Sequence, residues 1–202
     1  MSEMTPMRMP PEYKARMELL CQTPRAWVEL ALERFDEVLV DHAHCEKKAA
    51  AQALSMLAAF PAVPGLARAM ARLAREESGH LLQVLALMEE RGLSLGRDPG
   101  DPYAQGLQAL VRQPAGERLL DRLLVSALIE TRSEERLALL ARHLEDPGLR
   151  RFYARLAEAE KGHGELFLRL ARKSEGFEGR LREMLDAEAR LLRRLPLRPA
   201  IH

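Results

Sequence analysis

The chain has 202 residues, with 31 Lys and Arg set against 30 Asp and Glu for a formal net charge of +1. Apolar residues make up 47% and charged residues 30%, which excludes a disordered or collagen-like chain and is enough for one domain with a sizeable core. Aromatics are only 4% while Leu, Ala, Arg and Glu dominate, so an all-α fold is expected.

The amino-terminal stretch MSEMTPMRMPPEYK has no apolar run long enough for a signal peptide, and no run of 18 uncharged apolar residues occurs anywhere. A cytoplasmic protein without membrane spans is expected. Cys21 and Cys45 are too few for a disulfide framework or a four-thiolate zinc site. Thr23-Pro24 reads as an N-cap and first helical position, opening a short helix over 24–32. From 34 to 60, Leu39, Ala43, Ala50, Ala53 and Leu57 recur at helical spacing until Pro61 stops the helix. Pro64 opens the next, with Leu66, Met70, Leu73, Leu81, Val84 and Met88 as its stripe, and Gly92 closes it in a left-handed cap. Residues 92–116 carry five glycines and three prolines, too many for a long helix, and read as a crossover. The stripe resumes after Pro114 with Leu119, Leu123, Ala127, Leu137 and Ala141 and ends near Leu144. Asp146-Pro147 caps a helix running to about 173, and a last, basic helix covers 177–195. The expected architecture is one domain over 1–202: a four-helix bundle of two hairpins at about 34–173, with small extra helices at both ends.

Each long helix carries charge at a position its own periodicity assigns to the core. Glu46 falls between Ala43 and Ala50, and Glu77 with His80 between Leu73 and Val84. Glu130 falls between Ala127 and Leu137, and Glu160 with His163 between Leu156 and Phe167. A buried carboxylate is costly unless neutralised, ion-paired or bound to metal. At 1.5 Å per residue, Glu46 and Glu77 stand about 21 and about 20 Å from their shared turn, and so do Glu130 and Glu160. The hairpins thus repeat one design, a lone Glu on the first helix and E-x-x-H on the second. Glu and His at i and i+3 share a face, and four Glu with two His from four helices form a ligand set for two carboxylate-bridged iron or manganese ions. The competing reading is a metal-free bundle with a buried salt-bridge network. Glu77 is preferred to Glu76, which lies about 100° round the helix. Asp41, His42 and Glu134 stand one turn from ligand positions, where they would orient ligands or form an ordinary polar network. His44, His143 and Cys45 are read as unrelated to metal.

The segments LVDHAHCEKKAA (39–50), RLAREESGH (72–80), LIETRSEERLALLA (128–141) and RFYARLAEAEKGH (151–163) resemble the tRNA 2-methylthio-isopentenyl-adenosine hydroxylases, the MiaE family, over about residues 20–173. The resemblance implies a ferritin-like fold and a non-haem di-iron centre. It also implies insertion of one oxygen atom from O2 into the prenyl group of a hypermodified adenosine beside the tRNA anticodon. Carried over residue by residue, it places the ligands at Glu46, Glu77, His80, Glu130, Glu160 and His163. It further implies two iron ions, O2 as co-substrate, tRNA as partner and an external reductase or ferredoxin, since the chain has no cluster-binding motif of its own. RNA contacts are expected from Lys47, Lys48, Arg151, Arg155, Arg169 and Arg172, in keeping with 13 Lys and Arg against 8 Asp and Glu from 150 onward. A monomer or small homo-oligomer is expected. The alternative function is iron storage or peroxide scavenging with the same six ligands.

Overall fold

The computed structural model describes residues 17–202; the amino-terminal stretch read above for a leader lies outside them. The described residues form α1 (Arg25–Glu33), α2 (Phe35–Ala59), α3 (Leu66–Glu90), α4 (Pro102–Gln108), α5 (Ala115–His143), α6 (Pro147–Ala171) and α7 (Phe177–Arg194), with no strand among them. None of these helices is long and apolar enough to cross a membrane. α2 packs along α3 and α5 along α6, while α3 meets α6 across the bundle. The α3/α6 seam and the α2/α5 seam are therefore opposite faces. α1 rests on α5 and α2, and both α4 and α7 lie against α5.

The local signals act largely as read. Asp146 accepts a hydrogen bond from the Leu149 amide at 2.7 Å with Pro147 behind it, and Gly92 takes a φ of 67° that a side chain would oppose. Three expectations need correction. Thr23 does not cap α1: its amide and hydroxyl both donate to Glu135, at 2.9 and 2.6 Å, and Pro24 takes the cap position. The third helix opens at Leu66, two residues after Pro64, because Gly65 between them turns the chain in the left-handed region. The crossover contains a helix, α4, capped by Asp101, which accepts from the Ala104 amide at 3.0 Å.

The core is in two parts. One apolar cluster gathers Met56, Leu66, Met70, Leu123, Leu124, Phe167 and Met184. The other gathers Trp27, Val38, Leu39, Val84, Met88, Leu140 and Tyr153 at the opposite end of the bundle. On every long helix the charged residue singled out above falls at the boundary: Glu77 lies between Ala74 of the first cluster and Val84 of the second, and Glu130 between Leu128 and Leu137.

A second buried carboxylate holds the crossover in place. Asp121 on α5 is fully buried and accepts two hydrogen bonds from Arg180 on α7, both 2.9 Å, and three from Arg112, counting its amide. Burial pushes the Asp121 pKa upward, but the two guanidiniums outweigh it and hold the carboxyl at about 2. Its charged form is thus favoured by folding, and its contribution, present above pH 3.8, fades as pH falls through about 2. Asp121→Asn is expected to cost about 2 kcal/mol at neutral pH. It should also flatten the fall in stability between pH 4 and 2 in urea melts followed by circular dichroism.

Candidate metal centre

Glu46 from α2, Glu77 and His80 from α3, Glu130 from α5, and Glu160 and His163 from α6 converge in the boundary layer. Their donor atoms form two groups, each within 4.8 Å: Glu46, Glu77, His80 and Glu160, and Glu77, Glu130, Glu160 and His163. Glu77 and Glu160 belong to both. Glu77 turns Oε2 to His80 Nδ1 at 3.1 Å and Oε1 to His163 Nδ1 at 2.9 Å. Glu160 turns Oε1 to His80 and Oε2 to His163, at 3.8 and 3.6 Å. Each shared carboxylate presents one oxygen to each histidine, so Glu77 and Glu160 would be able to serve both of a pair of ions, with Glu46 and Glu130 serving one each.

Hydrogen bonding does not account for this layer. Glu77 Oε1, Glu160 Oε1 and His163 Nδ1 are buried without a hydrogen-bond partner among the described residues, although Glu77 and His163 approach to 2.9 Å. Close approach without hydrogen-bond angles is what ligands aimed at a common third atom show, and the oxygen-rich set with two imidazoles suits iron or manganese. Burial and the facing Glu160 push Glu77 up to about 7, and burial followed by Glu160 pushes Glu130 well above the carboxylate range. Burial opposes charge on His80, yet Glu46 and Glu77 raise it to about 10; His163 reaches about 11 against the same opposition, through Glu160 and Glu77. Crowded carboxylates repel one another, and dications relieve that repulsion.

Outer contacts distinguish the two halves. His42, stacked on Tyr153, donates from Nε2 to Glu46 Oε1 at 2.8 Å. Burial raises the Glu46 pKa, but His42 and His80 outweigh it and hold the carboxyl well below the usual range. On the other half, His163 donates from Nε2 to Glu76 at 3.3 Å, the contact that would orient this ring if it held a metal ion.

The family model for tRNA-(MS[2]IO[6]A)-hydroxylase (MiaE) matches residues 12–202. The chain belongs to the MiaE family. A relative from Pseudomonas putida named tRNA 2-(methylsulfanyl)-N(6)-isopentenyladenosine(37) hydroxylase is 46% identical over 151 residues, covering 75% of this chain and 73% of the relative. One of the same name from Salmonella typhimurium is 28% identical over 225 residues, covering 86% and 83%. A solved structure, "Protein 43 with aldehyde deformylating oxygenase activity" from Synechococcus, superposes with a TM-score of 0.86 at 41% identity, over 91% of this chain and 94% of that one. The fold is ferritin-like, and in this MiaE-family chain the six converging Glu and His residues lie on the four long helices.

Beyond the six ligand positions, the sequence expectations divide. His42 is hydrogen-bonded to Glu46, one of the six converging residues. Asp41 does not: it turns away and accepts from the Ile201 amide at 2.7 Å, because the chain around 200 packs over that face of α2. Glu134 lies half-buried one turn beyond Glu130 and acts on the field at Lys161. Glu76, weighed only as a rival ligand, is the outer partner of His163, a role that its spacing from His80 did not reveal. His44 binds the Leu95 carbonyl at 3.0 Å and His143 the Leu139 carbonyl, both away from the centre. Cys45 sits near Asp101 and His202, away from the six-residue layer; His202 is hydrogen-bonded to Asp101 at 3.0 Å, and burial pushes the thiol pKa up.

A cavity of about 480 Å³ opens from the centre along the α2/α5 seam. The carboxylates of Glu46, Glu77, Glu130 and Glu160 form its floor, and Ala49, Val125, Ile129 and Phe167 stand on its walls. Of the residues expected to meet RNA, only Lys48 lines it; Lys47 and Lys48 both lie within 3.8 Å of Asp98 in the crossover. Arg169 lines a separate groove on the α3/α6 face, while Arg151 is exposed on α6, and Arg155 and Arg172 lie over the Phe152 and Phe177 rings.

Glu160→Ala, which removes an oxygen from both groups, is expected to abolish binding of both metal ions by elemental analysis. Glu76→Gln should keep two ions per chain and weaken their affinity about 10- to 100-fold in chelator competition.

Proposed function

We propose that this centre holds two iron ions in Glu46, Glu77, His80, Glu130, Glu160 and His163 and hydroxylates the prenyl side chain of 2-methylthio-isopentenyl-adenosine beside the tRNA anticodon. The observation that carries the reading is the bridged double site at the floor of an apolar cavity, in a chain of the MiaE family. When bound, the iron pair supplies the activation of O2 needed to break an unactivated C–H bond. The balance is one prenyl C–H, one O2, two electrons and two protons giving one C–OH and one water. The electrons come from outside the chain. The tRNA substrate implies a cytoplasmic enzyme, acting as a monomer or small homo-oligomer.

The protein's own residues bind, orient and exclude. Glu77 and Glu160 fix the spacing of the two sites, while His42 and Glu76 hold Glu46 and His163 in orientation. Val125, Ile129 and Phe167 make an apolar path in which a prenyl group replaces water. Half-buried Gln52 and exposed Gln105 and Gln108 lie toward the mouth, where their amides can pair with the edge of an extruded purine, and Lys48 stands beside them for the backbone. The storage alternative finds no support in this arrangement, since the metal floor faces a cavity shaped for an organic group.

Protein reconstituted anaerobically with ferrous iron, then given prenylated tRNA, reductant and O2, is expected to add one oxygen per modified nucleoside by mass spectrometry. Glu130→Ala and His163→Ala should abolish the gain. Alkane formed from a long-chain aldehyde, with the tRNA unchanged, would reassign the activity. Ala49→Phe on the cavity wall should retain both metal ions and lower kcat/KM for tRNA at least about tenfold.

A further inference from the structure

The face opposite the substrate cavity carries a groove of about 650 Å³ between α3 and α6. Gly65, Ala69, Ala159 and Gly162 keep its walls low, and His80 and His163 form part of its floor. His80 is the most accessible of the six ligands, with 13% of its side chain exposed. The imidazole edges are thus where the metal layer comes nearest to solvent on this face.

The rim is basic. Arg68, Arg72 and Arg169 are exposed, and none has an ion-pair or hydrogen-bond partner among the described residues. The two rim carboxylates are already engaged, Glu76 with His163 and Arg75, and Glu158 with Lys161. Unpaired guanidiniums around a concave site attract an anionic partner and raise its encounter rate.

We propose that this groove is the docking surface for a small acidic one-electron carrier protein, which reduces the metal pair through the edges of His80 and His163. The proposal rests on the iron-dependent hydroxylation argued above, which consumes two electrons per turnover. Electron tunnelling weakens steeply with distance, so the donor must approach the metals closely, and the α2/α5 face is occupied by substrate during turnover. With the prenyl group in the cavity, the RNA lies over α2, α4 and α5, which leaves α3 and α6 free for the donor.

The test uses the iron-loaded full chain and a reduced plant-type [2Fe–2S] ferredoxin as probe. In anaerobic stopped flow, Arg68→Glu/Arg72→Glu is expected to lower the second-order rate of reduction by ferredoxin at least about tenfold and to flatten its salt dependence. Metal content, tRNA affinity and hydroxylation driven by reduced methyl viologen should be unchanged. An unaltered ferredoxin rate overturns the proposal. So does a loss of tRNA affinity, which would assign the groove to RNA. Absence of hydroxylation in the wild-type protein with viologen would overturn the hydroxylase reading instead, while the ferredoxin reduction rate would still report on the groove.

Discussion

Four carboxylates buried in one layer of a helical bundle are the constraint around which this protein is built. Alone, such a layer is strongly destabilising, because each charge has left water and faces others of the same sign. It is tolerable only with cations at its centre, and that requirement fixes much else. The four helices must hold register, so that donors from separate turns arrive at one level. The apolar residues are divided between two clusters above and below. Residues that elsewhere would be small core fillers become the walls of a path to the layer.

The two hairpins repeat a design but do not make equivalent sites. On one half the terminal carboxylate, Glu46, accepts a hydrogen bond from buried His42, which draws electron density away from the ligand. On the other the histidine, His163, donates to Glu76, which pushes density toward it. The first makes a ligand a poorer donor and the second makes one a better donor. The surroundings of the two halves therefore differ, a hydrogen-bond donor standing behind the carboxylate of one and an acceptor behind the histidine of the other. Each contact also faces a different side of the bundle: His42 lines the cavity, and Glu76 the basic groove.

The sequence was most informative where a regular period was broken. A glutamate on a stripe of Ala and Leu breaks the apolar period of its helix, and its recurrence on four helices at matched distances from two turns singled out the six residues that converge in the structure. Residues whose role depends on a neighbour from another helix were harder to read. Glu76 lies on the rim of α3, and only the position of α6 shows that it reaches His163. Asp41 is spaced from Glu46 as an orienting group would be, yet its partner is the Ile201 amide, 160 residues away. Thr23 has the composition of a cap but binds Glu135. The helix in the crossover was legible and was overlooked: Asp101-Pro102 repeats the pair at 146 and 147, but the surrounding glycines and prolines obscured it.

The crossover belongs to neither hairpin and supplies no ligand to the metal layer. It nevertheless contributes Asp101, Ala104, Gln105 and Gln108 to the cavity, and it is tethered by Lys47 to Asp98 at one end and by Arg112 to Asp121 at the other. Part of the cavity mouth thus sits on a pinned connection, while the buried carboxylates and the Val125, Ile129 and Phe167 wall sit on the long helices. Loops of this kind tolerate change more readily than the helices that hold a buried layer. A bundle organised in this way can reshape the mouth of its cavity within residues 91–114 while its buried layer stays where it is.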